Sequence, residues 1–229
     1  MGRTAILGRI RCALDTAQSE KSPVLLPEFP NYKDPVRKFG KELEAAGGHF
    51  FDAREEKQLL WALSSVLRKS GAEVIHWETQ QIFYKHRIPF KLRGIQETTE
   101  PVLMFSTHDS GSMEFPVILN SKRYSRDALE HIKLSASSAH SGIAETGTVV
   151  HAVQFRRGRI LSVLPPAHVV FLSQNDLRMN HAQLFSSLQP SKKGSAMTLV
   201  TGPSRTADIE KTLVLGVHGP KQFFVVLTA

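Results

Sequence analysis

Two short apolar runs in the C-terminal third, Val169–Leu172 and Phe223–Leu227, constrain the fold of this 229-residue chain more than any other feature. Both have strand length, and neither approaches the roughly 18 residues that a membrane-spanning helix needs. The residues around them supply the rest of a pattern. Met197–Val200 reads as a buried strand, Asp208–Leu215 as a helix and Gln222–Leu227 as a final strand. That succession is a βαβ unit, which predicts parallel pairing through a right-handed crossover. Ile160–Leu164 reads as a further strand, cut off by Pro165 and Pro166, and Asn175 or Asp176 is placed to cap a helix running to about Leu188.

The N-terminal half continues the alternation. Arg3, Arg9 and Arg11 surround Ile6, Leu7, Ile10 and Leu14 at helical spacing, which predicts an amphipathic first helix. Pro23, Pro27 and Pro30 then break the chain. Asp34 followed by Pro35 has the form of an N-cap with proline at the first helical position, predicting a helix to about Ala46, stopped by Gly47 and Gly48. His49–Asp52 suits a short strand. Leu59, Leu60, Leu63, Val66 and Leu67 recur at helical spacing up to Gly71, and Glu73–Trp77 reads as another strand. Helices alternating with strands point to a layered α/β sheet with flanking helices. From about residue 86 to 126 the pattern weakens, and irregular excursions are expected there. The organisation expected is an N-terminal helical segment over residues 1–50 and an α/β domain over 51–229.

Composition adds exclusions. With 41% hydrophobic and 22% charged residues the chain can bury a core, so wholesale disorder is excluded. The sole cysteine, Cys12, excludes an internal disulfide and an iron–sulfur cluster ligated by this chain's thiolates alone, and it fits a reducing, cytoplasmic setting. Ten histidines include no H-E-x-x-H pair, so no protein-only metal site is expected. The net charge of +8 is concentrated in residues 151–229, where nine basic side chains face three acidic ones. Such a field suits an anionic small ligand or an acidic partner; no helix-turn-helix or aromatic strand signature directs it to nucleic acid.

Two segments carry candidate chemistry. In Thr201-Gly202-Pro203-Ser204-Arg205-Thr206-Ala207-Asp208, between an expected strand and an expected helix, Gly202 allows a tight turn, Ser204 and Thr206 supply hydroxyls and Arg205 a fork for phosphate or carboxylate. A helix beginning there would present free N–H groups to an anion. The alternative is that Ser204 or Thr206 merely caps that helix, with Asp208 in its first turn. In Ser141-Gly142-Ile143-Ala144-Glu145-Thr146-Gly147-Thr148, small residues surround Glu145, a candidate base, nucleophile or hydrogen-bond acceptor. Its alternative is a glycine-bearing turn into a strand over Val149–Val153. His218, before the last strand, is placed to meet the same cleft or to make a local turn contact.

Together, Ala144-Glu145-Thr146-Gly147-Thr148, Leu164-Pro165-Pro166-Ala167-His168, the segment from Thr201 to Glu210 and Leu213-Val214-Leu215-Gly216-Val217-His218-Gly219-Pro220 resemble the LUD-domain family in its lactate utilization protein C branch. The match is specific from about Ile132 to Leu227 and weaker upstream. It implies a fold like that of the NagB/RpiA/CoA-transferase group, with a ligand cleft at strand ends. It also implies a part in oxidising L-lactate to pyruvate beside iron–sulfur partner subunits; in such a part our own reading of the residues makes Glu145 the candidate catalytic group, orienting the ligand or accepting a proton. The ligand-binding residues would then be Thr146, Gly147, Thr148, Gly202, Ser204, Arg205, Thr206, Asp208 and His218. This chain would hold no cofactor of its own. Where the family tends to carry Thr-x-Ala-Asp, this chain has Ser137-Ser138-Ala139-His140, so a carboxylate at that place is lost. A second reading, from the fold group, is a self-sufficient enzyme or a regulatory module that binds a phosphorylated or CoA-linked small molecule.

Overall fold

A computed structural model describes residues 3–16, 30–73, 75–77, 85–86, 91–93, 102–106, 112–119, 130–154, 162–187, 194–207, 213–215 and 219–229. The two apolar runs lie side by side in it. β9 (Ala167–Ser173) and β14 (Gln222–Thr228) pair in parallel with Val169 opposite Phe224, as the third and second strands from one edge of an eight-stranded sheet. β1 (His49–Asp52) flanks β14, and β6 (Leu134–Ser138), β2 (Ile75–Trp77) and β5 (Ser112–Leu119) follow β9 on the other side, all parallel. β4 (Val102–Ser106) and β3 (Lys91–Arg93) close that edge in antiparallel pairing. The stretch expected to be irregular therefore contributes three strands.

Around β9 and β14 both faces of the sheet are buried, as strands without polar alternation require. On one face Val169, Phe171, Phe224 and Val226 pack with Leu59, Leu63 and Val66 of α3 (Glu56–Ser70), and Trp77 stacks on Phe171 with ring centroids 5.1 Å apart. On the other face Val170, Leu172, Phe223, Val225 and Leu227 meet Phe39 and Leu43 of α2 (Pro35–Ala45), together with Ala144 and Val149. Val149 belongs to a smaller sheet of β7 (Ser141–Ile143), β8 (Thr148–Gln154), β10 (Leu177–Arg178) and β11 (Gly194–Val200), and Ala144 to the turn that follows β7.

Local chemistry explains the helix limits. Asp34 Oδ1 accepts the Arg37 N–H at 2.9 Å, with Pro35 at the first position of α2. The N–H of Glu55 donates to Gln58 Oε1 at the start of α3, and Gly71 ends that helix in the left-handed region at φ +64°. α1 (Arg3–Thr16) forms as expected, with Ile6 and Leu7 about half exposed. Among the described residues no helix is long and apolar enough to cross a membrane.

Three expectations are corrected. The helix expected over Asp208–Leu215 does not reach its expected end: Arg205–Ala207 (β12) and Leu213–Leu215 (β13) pair as antiparallel strands, with residues 208–212 outside the described set. The βαβ unit is thereby lost. β11 is antiparallel to β8 in the small sheet and is only partly buried, with Leu199 39% exposed. Eight residues are too few for periodicity to separate a helix from a hairpin of β-favouring residues. The helix expected from Asn175 begins later: residues Gln174–Asp176 form a 3-10 turn, and α4 (His181–Ser187) starts after Asn180, whose Oδ1 accepts the Gln183 N–H at 2.9 Å. The strand expected over Ile160–Leu164 is replaced at residues 162–164 by 3-10, turn and bend conformations, residues 160 and 161 lying outside the described set.

Candidate functional site

Glu145 occupies the turn between β7 and β8. The N–H of Ala144 donates to Arg178 O at 2.8 Å and the N–H of Glu145 to Met179 O at 3.0 Å, which ties the turn to β10 and the entrance of α4. Gly147 completes it at φ +65°, and a Cβ there would lie 2.2 Å from the Leu43 backbone nitrogen. Only glycine combines that backbone angle with that approach to α2. The Glu145 carboxylate remains partly open to solvent, 3.6 Å from His181 Nδ1. Lys38 of α2 stands close enough for the Glu145 charge to help raise its pKa, though the larger cause is its own 2.7 Å hydrogen bond to Glu42. A carboxylate and an imidazole thus face each other on this surface.

The Thr201–Arg205 segment reaches the same helix at its C-terminal end. Gly202 adopts φ +77°, and a Cβ there would meet Ala46 O at 2.7 Å. Arg205 Nη2 donates to that same carbonyl at 2.6 Å. A cation bound to an orphan carbonyl at a helix C-terminus is favourably placed in the helix dipole. The guanidinium fork read as an anion clamp is therefore engaged with the backbone, and among the described residues no helix N-terminus lies beside it. The Ser204 N–H donates to Pro220 O at 2.9 Å.

The two segments meet in space. Thr148 Oγ1 lies 2.7 Å from Thr146 Oγ1 and 2.6 Å from Thr201 Oγ1, so a chain of three hydroxyls joins the Glu145 turn to the Gly202 loop beside α2. Of the remaining candidates, Thr206 is placed by its backbone in β12, and Asp208 and His218 lie outside the described residues.

A second polar group, at the carboxyl ends of the parallel strands, was not among the sequence candidates. His86 is buried with Nδ1 2.7 Å from Thr228 Oγ1 and Nε2 2.8 Å from Ser138 Oγ, joining the ends of β14 and β6. Lys85 Nζ donates to Ala139 O at 2.9 Å and pairs with Asp176 Oδ2 at 2.9 Å. Ligands of open parallel sheets bind outside these carboxyl ends. The usable signal was the hydroxyl residue closing each strand: Ser138, Ser173 and Thr228.

Within the sheet, His168 is fully buried, with Nδ1 2.7 Å from Ser135 Oγ and Nε2 2.9 Å from Ser137 Oγ. A neutral imidazole offers one donor and one acceptor, so one serine donates to the ring and the other accepts from it. Burial, reinforced by nearby His151, lowers His168 to about 3; burial likewise lowers His151 to about 4 and His86 to about 3. Ser137, Ser138 and His140 thus stand where the family tends to have Thr-x-Ala-Asp: Ser137 holds His168, Ser138 holds His86, and His140 is exposed. Among the described residues no three His, Cys, Asp or Glu side chains converge to hold a metal ion.

The LUD domain family model matches residues 36–228. The chain belongs to the LUD-domain family. Its mostly parallel sheet with helices on both faces is the layered α/β arrangement expected from the sequence. Curated LUD relatives include lactate utilization protein C of Geobacillus kaustophilus, 35% identical over 112 residues, which are 46% of this chain and 47% of that protein. Lactate utilization protein C of Anoxybacillus flavithermus is 33% identical over 103 residues, 44% of this chain and 47% of the relative. The match to its namesake in Oceanobacillus iheyensis is longer, 27% over 179 residues, covering 69% and 76%. The chain thus spans about half the length of the first two relatives. A crystal structure of a DUF162 family protein from Deinococcus radiodurans has a TM-score of 0.47 at 15% identity, over 87% of this chain and all of that one.

Proposed function

We propose that this LUD-domain chain is a cytoplasmic subunit of a lactate-utilising system that oxidises L-lactate to pyruvate. Removing two electrons and two protons from lactate requires an electron acceptor, and the reading assigns that part to iron–sulfur partner subunits. This chain contributes a surface on which a small anion is held and a proton is moved. The observation that carries the reading is the convergence of the family's two motif segments on α2 through the Thr146, Thr148 and Thr201 hydroxyls, with Glu145 left partly exposed beside His181.

In this reading Glu145 accepts or relays a proton, and His181 steadies its carboxylate. Thr146 orients the turn through its bond to Thr148. Gly147 and Gly202 hold the two loops against the helix, and Arg205 supports the site from the end of α2. The test is a complex reconstituted from this chain and its iron–sulfur partners, assayed for lactate-dependent reduction of a dye. Glu145→Gln keeps the shape and removes the charge; a rate reduced at least tenfold with the complex still assembled supports the proposal. An unchanged rate overturns the role of Glu145, and a full rate without this chain overturns the function.

A further inference from the structure

On the other flank of α2, away from Glu145, a cavity of about 750 Å³ opens between the helix and the carboxyl end of β1. Its size is that of a small-molecule site. Lys33, Arg37 and Lys41 line one wall at intervals of four residues, and none of them makes an ion pair with a carboxylate within 4 Å among the described residues, although the charge of Lys41 acts on Glu42. Arg37 and Lys41, one helical turn apart, stand about 6 Å from each other along the axis. The far wall differs, because Arg54 there is neutralised by Asp52 through bonds of 2.7 and 2.6 Å. Of the other acids at the cavity, Asp34 is turned to the Arg37 N–H, and Glu44 is the remaining one.

The floor is apolar. Phe50 lies half-buried against Gly40, where a Cβ would come within 2.5 Å of the ring, so the absence of a side chain on α2 is what lets the ring line the cavity. The site lies outside the end of a parallel strand, where ligands of such sheets bind. The helix N-terminus does not define it, since Asp34 already takes an N–H there. What defines it is a row of unpaired cations above an aromatic floor.

We propose that this cavity binds a small molecule carrying two adjacent phosphoryl groups, which Arg37 and Lys41 bridge while its apolar part rests on Phe50. A monocarboxylate such as lactate brings a single negative charge to these cations, where a diphosphoryl group brings several. The site is independent of the Glu145 surface and of the lactate proposal. The experiment is calorimetric titration of the intact chain with inorganic pyrophosphate at about 0.15 M salt, where unfocused surface attraction is screened. Orthophosphate and L-lactate serve as comparison probes. The expected result is that pyrophosphate binds at least fivefold more tightly than orthophosphate. Arg37→Ala with Lys41→Ala weakens it at least tenfold. The exposed control pair Lys57→Ala with Arg68→Ala on α3 and the variant Glu145→Ala both leave it within twofold. No heat with pyrophosphate, equal affinity for the three anions, or equal loss in the α3 control pair would each overturn the proposal. Retained far-ultraviolet circular dichroism and melting temperature in the Arg37/Lys41 variant keep a loss of binding distinct from a loss of fold.

Discussion

The hydroxyls of Thr148 and Thr201, 53 residues apart in the chain, lie 2.6 Å from each other. Thr148 is buried, so its hydroxyl has little water to replace a missing partner. Thr148→Val keeps the volume and deletes both of its hydroxyl contacts, leaving the hydroxyls of Thr146 and Thr201 to find other partners. A loss of about 1–2 kcal/mol is expected, measured as a shift in urea midpoint at constant slope. No shift would mean that the two loops are held by their glycine contacts alone.

Gly147→Ala is expected to cost more. The new Cβ would be driven into the α2 backbone at Leu43, which cannot yield as a flexible side chain does, and the residue would keep φ at +65°. The left-handed backbone costs roughly 1–2 kcal/mol for a residue with a Cβ, and overpacking adds roughly 1–3. At about 2–4 °C per kcal/mol for a chain of this size, the melting temperature should fall by on the order of 10 °C. A fall of about 2 °C or less would show that the turn does not press on α2 as described.

Acid should destabilise the fold well before the carboxylates titrate. Buried His86, His151 and His168 stay neutral in the native chain down to about 3, 4 and 3, whereas in the unfolded chain they protonate near 6.5. The unfolded state therefore binds more protons than the native state as the pH drops below 6.5. The stability these neutral rings contribute is complete above that pH and is lost on the way down, at up to about 1.4 kcal/mol per pH unit for each ring. Urea midpoints at pH 7 and pH 5 measure this; equal midpoints would contradict neutral burial.

Arg205 separates a supporting from a ligand-binding role. Arg205→Ala removes the bond to Ala46 O and a cation from the end of α2, and a loss of roughly 1 kcal/mol is expected. Thermal unfolding with and without lactate checks this. A variant as stable as the wild type that has lost lactate binding would restore Arg205 as a direct anion clamp.

What could be read from the sequence follows from how local each signal is. Asp34-Pro35 and Gly71 mark helix limits through contacts within a few residues, and Val169–Leu172 and Phe223–Leu227 announce strands because both of their faces are buried. β6 could not be read that way. Its Leu-Ser-Ala-Ser-Ser sequence resembles a loop, yet it is central, because Ser135 and Ser137 are satisfied by His168 on the neighbouring strand. The Glu145 turn was legible as a glycine-bearing turn into a strand. That Gly147 and Gly202 both press on α2, and that Arg205 closes that helix, depends on contacts more than a hundred residues apart in the case of Arg205. His86 carried no local signal, since its partners Ser138 and Thr228 are distant in the chain.

Growth on L-lactate as sole carbon source tests the central claim most directly, in a strain lacking this gene and every other lactate dehydrogenase, complemented with wild-type chain or with Glu145→Ala at matched protein levels. The account predicts no growth without the gene, restoration by the wild type and failure of Glu145→Ala. Growth of the deletion strain would contradict the assignment to lactate oxidation, and full restoration by Glu145→Ala would remove Glu145 from the chemistry.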